Sequence, residues 1–387
     1  MSDLKDDFKK KLRDYTEGKL LEQEKKEIEK DLEKLEKYQE FLDEEIEENE
    51  DKRNTNIFYE HKNGKKILKI SKWKARIQNA TTGICMFIVF AIISSVITSV
   101  FYSMGEPTRL EIYKDVIEST LGITQPNVSI RSTGMSPNQF LTATIATKLV
   151  KRVGKDDIII GEGEYDFFLG NLNNRNLKYA SNKNYQITFN YPNDLENKWM
   201  DSEWKRLEKL PEGTVSEVYL SLDKFYETDE ILKKFVDKDV DLLWFVVDTG
   251  NEEKMITNPI GFPEAPIWHS DDYILESREE KGNFFAKVVT ESSSAPTVER
   301  YGSGKVRNEN FIKTLKFIEK YDSIASEVAP FKTRNIQEKI DYIQKNGVKI
   351  YGMVITGPTK ELLTLKEEEW ISGMEVGEVR LWNWEEY

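Results

Sequence analysis

One cysteine and two histidines are all that this 387-residue chain holds of the side chains that most often carry metal or nucleophilic chemistry. Cys85 is alone, so no intramolecular disulfide can form. With only His61 and His269 beside it, zinc sites and Ser–His or Cys–His catalysis have little to work with. Positive charge is also in deficit. A formal net charge of −13 argues against general nucleic-acid binding. No internal repeat recurs at a fixed period. The most telling absence is local: no charged residue stands between Arg76 and Glu106.

That gap contains Ile84 to Tyr102, reading ICMFIVFAIISSVITSVFY. About twenty apolar residues in a helix rise ~30 Å, the thickness of a bilayer's hydrocarbon core. Eleven Ile, Val and Phe residues favour insertion, each by ~0.3–0.6 kcal/mol. Ser94, Ser95, Thr98 and Ser99 subtract from that without approaching the cost of a central charge. The run predicts one membrane-spanning helix over residues 81–104, with Ile84, Phe87, Phe90, Ile93, Ile97 and Tyr102 in the bilayer. Trp73 and Tyr102 stand where interfacial aromatics belong. Lys62, Lys65, Lys66, Lys69, Lys72, Lys74 and Arg76 precede the span, and the following segment mixes Arg109 and Lys114 with acids. This asymmetry places the N-terminus in the cytoplasm and a large C-terminal region outside. A cleavable signal peptide has its apolar core near the N-terminus, where this chain is highly charged. A large outer region without disulfides fits a Gram-positive surface better than a eukaryotic one.

Residues 1–50 read as a helical cytoplasmic domain of net charge about −8. Leu4, Phe8, Leu12 and Tyr15 form one helical stripe, which Gly18 can end by taking the left-handed conformation. A second helix is expected from about Leu20 to Glu48. Its stripe is Leu21, Ile28, Leu32, Leu35, Tyr38, Leu42 and Ile46, in which Leu21, Ile28, Leu35 and Leu42 are spaced by seven. Two such helices cannot bury enough surface to fold alone, so their stripes need a partner. In the basic linker, 51–80, Asn63-Gly64 between apolar runs predicts a hairpin; a helix running into the span is the alternative.

The span is expected to continue as helix through Glu111 to Leu121. Beyond it, 105–210 reads as one α+β subdomain with strands at Val128–Ser132, Phe140–Val153, Asp157–Ile160, Tyr165–Phe168 and Tyr185–Tyr191. Asn171 to Asn184 reads as a long loop, and residues 194–212 as a helix. From 211 to 387 a second α+β subdomain follows. Its strands are expected at Val215–Leu222, Asp241–Val247, Lys349–Thr356 and Glu378–Trp384. Its helices are expected at Asp229–Phe235, Glu309–Tyr321, Ile336–Asn346 and Lys360–Leu365, around a proline-bearing middle. The fold class is thus a helical tail, one transmembrane helix and a mixed sheet with helices.

No catalytic residues, metal ligands or cofactor sites are assigned. Gly302-Ser-Gly-Lys305 lacks the spacing of a phosphate loop. Glu162, Glu164 and Asp166 alternate as a solvated strand face does, although they could hold a hard cation. His269 beside Asp271 and Asp272 reads as a surface loop rather than a dyad. Trp244, Trp268, Trp370, Trp382 and Trp384 read mainly as core aromatics, with a glycan or peptide groove as the alternative.

The segment from Phe8 to Gly18, FKKKLRDYTEG, followed by LLEQEKKEIEKDLEKLEKYQEFLDEE, resembles the N-terminal domain of membrane-bound anti-sigma factors. In the zinc-binding branch of that family the ligand positions would fall on Asp31, Leu35 and Tyr38, none of which is a good match for a zinc site. The resemblance is therefore to the zinc-free Bacillus-type members, with apolar packing by Leu35 and Tyr38 expected in place of metal. LEKLPEGTVSEVYLSLDKFY from Leu207, DLLWFVVDTG from Asp241, Gly261-Phe-Pro and YGMVITGPTKELL from Tyr351 are similar to the sigma-factor-regulator C-terminal domain. The resemblance implies that an extracytoplasmic-function sigma factor is held by Leu4, Phe8, Leu12, Tyr15, Leu21, Ile28, Leu32, Leu35, Tyr38 and Leu42. It also implies release on an envelope signal, with the bilayer and a second small membrane protein as further partners and no direct contact with nucleic acid. A membrane-anchored hydrolase and a self-associating coiled-coil scaffold are the competing readings.

Overall fold

The computed structural model describes residues 14–15, 22–50, 58–180, 187–192, 200–250, 255–283, 286–330 and 332–382. The chain forms two compact units, Met1–Phe87 and Ile88–Tyr387.

The first unit contains helix α1 (Glu22–Glu50), close to the span expected from its periodicity. Its sequence lacks Gly and Pro, and exposed pairs such as Glu33–Lys37, 2.9 Å apart one turn on, favour the helix. The expected hairpin at Asn63-Gly64 does not form. Those residues lie within helix α2 (Phe58–Ser103), which begins in the first unit and continues into the second. A lone two-stranded hairpin has no face to bury and is marginal in water. One glycine costs a helix only about 1 kcal/mol once forty further residues propagate it.

The helix does not run on to Leu121. It ends at Ser103, because Pro107 has no N–H to donate and disfavours helical backbone at Glu106. A new helix, α3 (Arg109–Thr124), starts from a capping box. The Glu111 N–H donates to Thr108 Oγ1 (3.3 Å), and the Glu111 carboxylate accepts from the Thr108 N–H (2.7 Å). The Arg109 guanidinium donates to the Phe101 carbonyl (2.8 Å) and lies 4.1 Å from the centre of the Phe101 ring, closing the end of α2.

In the second unit, strands β1 (Ser129–Pro137), β2 (Thr142–Val153), β3 (Asp156–Phe168) and β4 (Asn171–Tyr179) form an antiparallel meander in chain order. Residues 157–160 and 165–168 are parts of one strand, β3. It passes through Gly161, where a Cβ would stand 2.7 Å from the Lys178 carbonyl oxygen. The asparagine-rich segment is not a loop over its first half. Residues 171–179 pair with β3, turning Leu172 and Leu177 toward the core while polar residues face out on this edge strand. Phe140 and Leu141, expected in a strand, belong to the β1–β2 turn.

Short β5 (Phe189–Asn190) precedes helix α4 (Met200–Glu208) and the long β6 (Thr214–Tyr226). Then come α5 (Thr228–Phe235), β7 (Asp241–Val247), β8 (Met255–Ile256), β9 (Gly261–Pro263), β10 (Ile274–Asn283) and β11 (Ala286–Ser294). The last two make a hairpin in the middle region for which no strands are expected from sequence; its charged, serine-rich strands carry little alternation. Helices α6 (Gly304–Lys320), α7 (Asp322–Val328) and α8 (Ile336–Asn346), strand β12 (Ile350–Pro358), helix α9 (Thr359–Thr364) and strand β13 (Ile371–Leu381) complete the chain. β13 starts seven residues before the expected Glu378. Five strands form an antiparallel sheet in the order β13-β6-β12-β7-β9, with β6 and β12 nearly wholly buried at its centre.

One hydrophobic core runs through both large sheets and α3. Polar ties reinforce it. Lys151 on β2 donates to both oxygens of Glu217 on β6 (3.0 Å each) and to Tyr219 Oη (2.6 Å). Asn127 donates to the same carboxylate (2.7 Å), as does the Glu378 N–H (3.2 Å). The Gly154 N–H donates to Thr356 Oγ1 (2.7 Å), and the Trp244 indole to the Gly122 carbonyl (2.7 Å). Burial, with Glu217 alongside, pushes the Tyr219 hydroxyl well above its usual range, so it stays a neutral acceptor for Lys151.

His269 is not on a surface loop. It is buried, with Nε2 2.9 Å from Ser119 Oγ on α3 and its ring stacked 4.1 Å from that of Phe317 on α6. Burial lowers its pKa below the ordinary 6.5; Asp115 and Asp272 oppose that shift, and Lys313 reinforces it.

Two outcomes follow from these contacts. Glu217→Leu alone strands a buried ammonium and should cost about 3–5 kcal/mol in unfolding of the detergent-solubilised chain. Combining it with Lys151→Met should recover most of that loss, whereas additive losses would show that the pair is not coupled. For His269, the unfolded imidazole binds its proton near pH 6.5 and the folded one only at lower pH. Stability conferred by the neutral ring is therefore present above 6.5 and lost as pH falls through the folded value. Thermal melts from pH 7.5 to 5 should show an acid limb that His269→Gln flattens; an unchanged limb would exclude His269 as its source.

Candidate partner-binding surface

Helix α1 presents the one sequence-predicted site that combines apolar surface with dense charge among the described residues. Ile28 is buried and Leu32 half-buried, while Leu35 (49% exposed), Tyr38 (60%) and Leu42 (38%) stand in solvent. Phe41, not singled out from the sequence, is also exposed (54%) and lies three residues beyond Tyr38 on the same side of the helix. Its aromatic character at that spacing was the available signal. The expected packing of Leu35 and Tyr38 in place of a metal is absent among the described residues. Tyr15 is half-buried, and its hydroxyl donates to Glu29 Oε1 (3.2 Å). Leu4, Phe8, Leu12 and Leu21 lie outside the described residues.

Around the exposed apolar residues, Asp31 pairs with Lys34 and Glu33 with Lys37, each at 2.9 Å. Hydrogen bonding to Lys37 holds the Glu33 carboxyl below its usual range. Both pairs are open to water and add little stability. Exposed Leu, Tyr and Phe at helical spacing, rimmed by charge, can fill a hydrophobic groove on another protein.

The six residues expected to span the membrane all lie on α2, the one helix among the described residues long and apolar enough to cross a bilayer. Ile84, Phe87, Phe90, Ile93 and Ile97 are exposed, as lipid-facing residues are. Tyr102 differs. It is fully buried rather than interfacial, and its hydroxyl donates to the Leu141 carbonyl (3.0 Å).

The remaining motifs have structural roles. Ser303 of the Gly-Ser-Gly-Lys motif caps α6, accepting from the Lys305 N–H (3.1 Å). On β3, Glu162 and Glu164 face solvent, and Asp166 accepts from Thr144 (2.9 Å) and Asn174 (3.0 Å). His269, Asp271 and Asp272 bring ligand atoms within 4.8 Å of one another, but the Lys313 ammonium is bonded to Asp272 and already supplies the positive charge there. Trp244 and Trp370 are buried in the cores, and Trp268 and Trp382 are half-buried.

Residues 65–158 match the family described as sigma factor regulator N-terminal, and residues 207–378 match sigma factor regulator C-terminal. The chain is 29% identical over 389 residues to the probable anti-sigma-M factor YhdL of Bacillus subtilis strain 168, covering 98% of this chain and all of that one. No solved structure matches. The two regulator matches together span more than half of the chain, and the chain belongs to the Bacillus-type family of anti-sigma factors.

Proposed function

We propose that the N-terminal helices sequester an extracytoplasmic-function sigma factor in the cytoplasm and that the region following α2, on the outer side of the membrane, governs its release in response to an envelope signal. The observation that carries this reading is the exposed set Leu35, Tyr38, Phe41 and Leu42 on an otherwise charged helix. That surface lies N-terminal to both regulator matches, on a chain similar end to end to an anti-sigma factor. Leu4, Phe8, Leu12 and Tyr15 extend the contact, and Leu21, Ile28 and Leu32 continue the stripe. The acidic balance of residues 1–50 would speed encounter with a basic partner more than it adds affinity. The cytoplasmic position of the tail rests on the basic residues between Lys62 and Arg76. In this reading the C-terminal unit is a sensor and not an enzyme. Signalling through conformational change, through proteolysis or through a second small membrane protein would each act on how the tail is presented.

A pull-down with residues 1–77 against the host's full set of sigma factors should capture one of them free of core polymerase. Capture of none, with the tail dimeric by itself, would favour the coiled-coil scaffold. In cells, Leu12→Asp combined with Leu35→Asp should abolish repression of a sigma-dependent reporter at unchanged protein level. Wild-type repression in that variant would remove these residues from the interface.

A further inference from the structure

Ser94 and Thr98 sit in the apolar run of α2, yet both are buried. Each accepts a hydrogen bond from the backbone of the β1–β2 turn: the Phe140 N–H donates to Ser94 Oγ (2.8 Å), and the Leu141 N–H to Thr98 Oγ1 (2.8 Å). The Leu141 carbonyl in turn accepts from Tyr102 Oη and from the Leu169 N–H of the β3–β4 turn, each at 3.0 Å. The Asn138 N–H donates back to the Thr142 carbonyl (2.8 Å). Two turn tips are thus fastened to the apolar helix, with the Phe140 N–H, the Leu141 N–H and the Leu141 carbonyl all bonded within the protein.

The side chains at these tips are unusual for turns. Phe140, Leu141 and Leu169 have φ of 57°, 58° and 50°, in the left-handed region that glycine and asparagine normally fill. Phe140, Phe168 and Leu169 leave 42%, 48% and 47% of their surface uncovered, and the Phe140 ring lies 5.8 Å from that of Phe90. In water this combination joins backbone strain to exposed apolar surface with no compensation on the protein.

The position of the apolar run supplies the occupant. A hydrocarbon core needs about twenty helical residues. Were it to end below Ser94, it would have to enclose Arg76, Gln78 and Asn79. A core that avoids them extends past Ser94 toward Tyr102 and therefore surrounds the level at which Phe140 is bound. Irregular backbone at that depth needs its polar groups satisfied by protein, and Ser94, Thr98 and Tyr102 do this for the Phe140 N–H, the Leu141 N–H and the Leu141 carbonyl.

We propose that the β1–β2 and β3–β4 turns are inserted in the bilayer leaflet from which α2 emerges, with Phe140, Phe168 and Leu169 among the acyl chains. The serine and threonine residues of the span are then the sites that let a β-sheet tip enter lipid beside its own membrane helix. This goes beyond sigma-factor binding and stands whether or not the tail binds one.

The test uses the full chain reconstituted in phosphatidylethanolamine–phosphatidylglycerol vesicles. Cys85→Ser removes the lone native thiol, and Phe140→Cys, Phe168→Cys, Leu169→Cys or Glu279→Cys then carries an environment-sensitive fluorophore. Glu279, on the exposed β10–β11 hairpin, is the aqueous control. Labels at 140, 168 and 169 should be quenched by nitroxide-bearing acyl chains and be severalfold less accessible to aqueous iodide than the label at 279. Iodide access equal to that at 279 would place the tips in water and overturn the proposal. Protection from both quenchers would mean that protein covers them, and would overturn it as well. Phe168→Cys is free of the left-handed backbone, so it decides the question if the other two variants misfold.

Discussion

A carboxylate with no exposure to water links the two large sheets of the C-terminal unit. Glu217 on β6 receives both contacts from Lys151 on β2, a side-chain N–H from Asn127 and a backbone N–H from Glu378 on β13. A buried charge of this kind is tolerable only when its lone pairs are filled from several directions at once. The requirement ties the approach of β2, the start of β1 and the course of β13 to a single atom group. Gly377 meets the same constraint, since a Cβ there would stand 2.5 Å from Glu217 Oε2. The apolar core supplies the bulk of the driving force, but it is non-directional. The hydrogen-bonded carboxylate is directional, and it sets how the meander meets the five-stranded sheet.

The same logic of satisfied polar groups recurs where the chain leaves the apolar helix. Ser94, Thr98 and Tyr102 would weaken a simple anchor, yet each is bonded to the turns that lie against it. Arg109 closes the Phe101 carbonyl near the end of α2, and Pro107 with the Thr108–Glu111 box redirects the chain into α3. The upper half of α2 is thereby part of the folded C-terminal unit rather than a tether to it. A displacement of the meander would be felt at the helix through short hydrogen bonds, without a flexible linker to absorb it. The α1 surface differs in kind. Its Leu35, Tyr38, Phe41 and Leu42 side chains are open to water, and its ion pairs are exposed.

Periodicity and charge alone determined much of this protein. The existence of helix α1, the presence of one long apolar helix ending near Ser103, and the strands at β6, β7 and β12 follow from patterns of 3.6, near-unbroken apolarity and buried runs. Those signals are local, so they can be read without a partner. The resemblance of the motifs from Leu207 onward to the sigma-factor-regulator C-terminal domain was likewise legible, and the family match over 207–378 agrees with it. What only the tertiary structure decided was pairing and burial. Asn171–Tyr179 is a strand because β3 offers it a ladder, and His269 is buried because α3 and α6 close over it. Tyr102 is turned to protein, where its hydroxyl donates to the Leu141 carbonyl. Residue type and spacing report what a segment can do by itself. Whether a polar group is satisfied, and by what, depends on chain brought from far away in sequence.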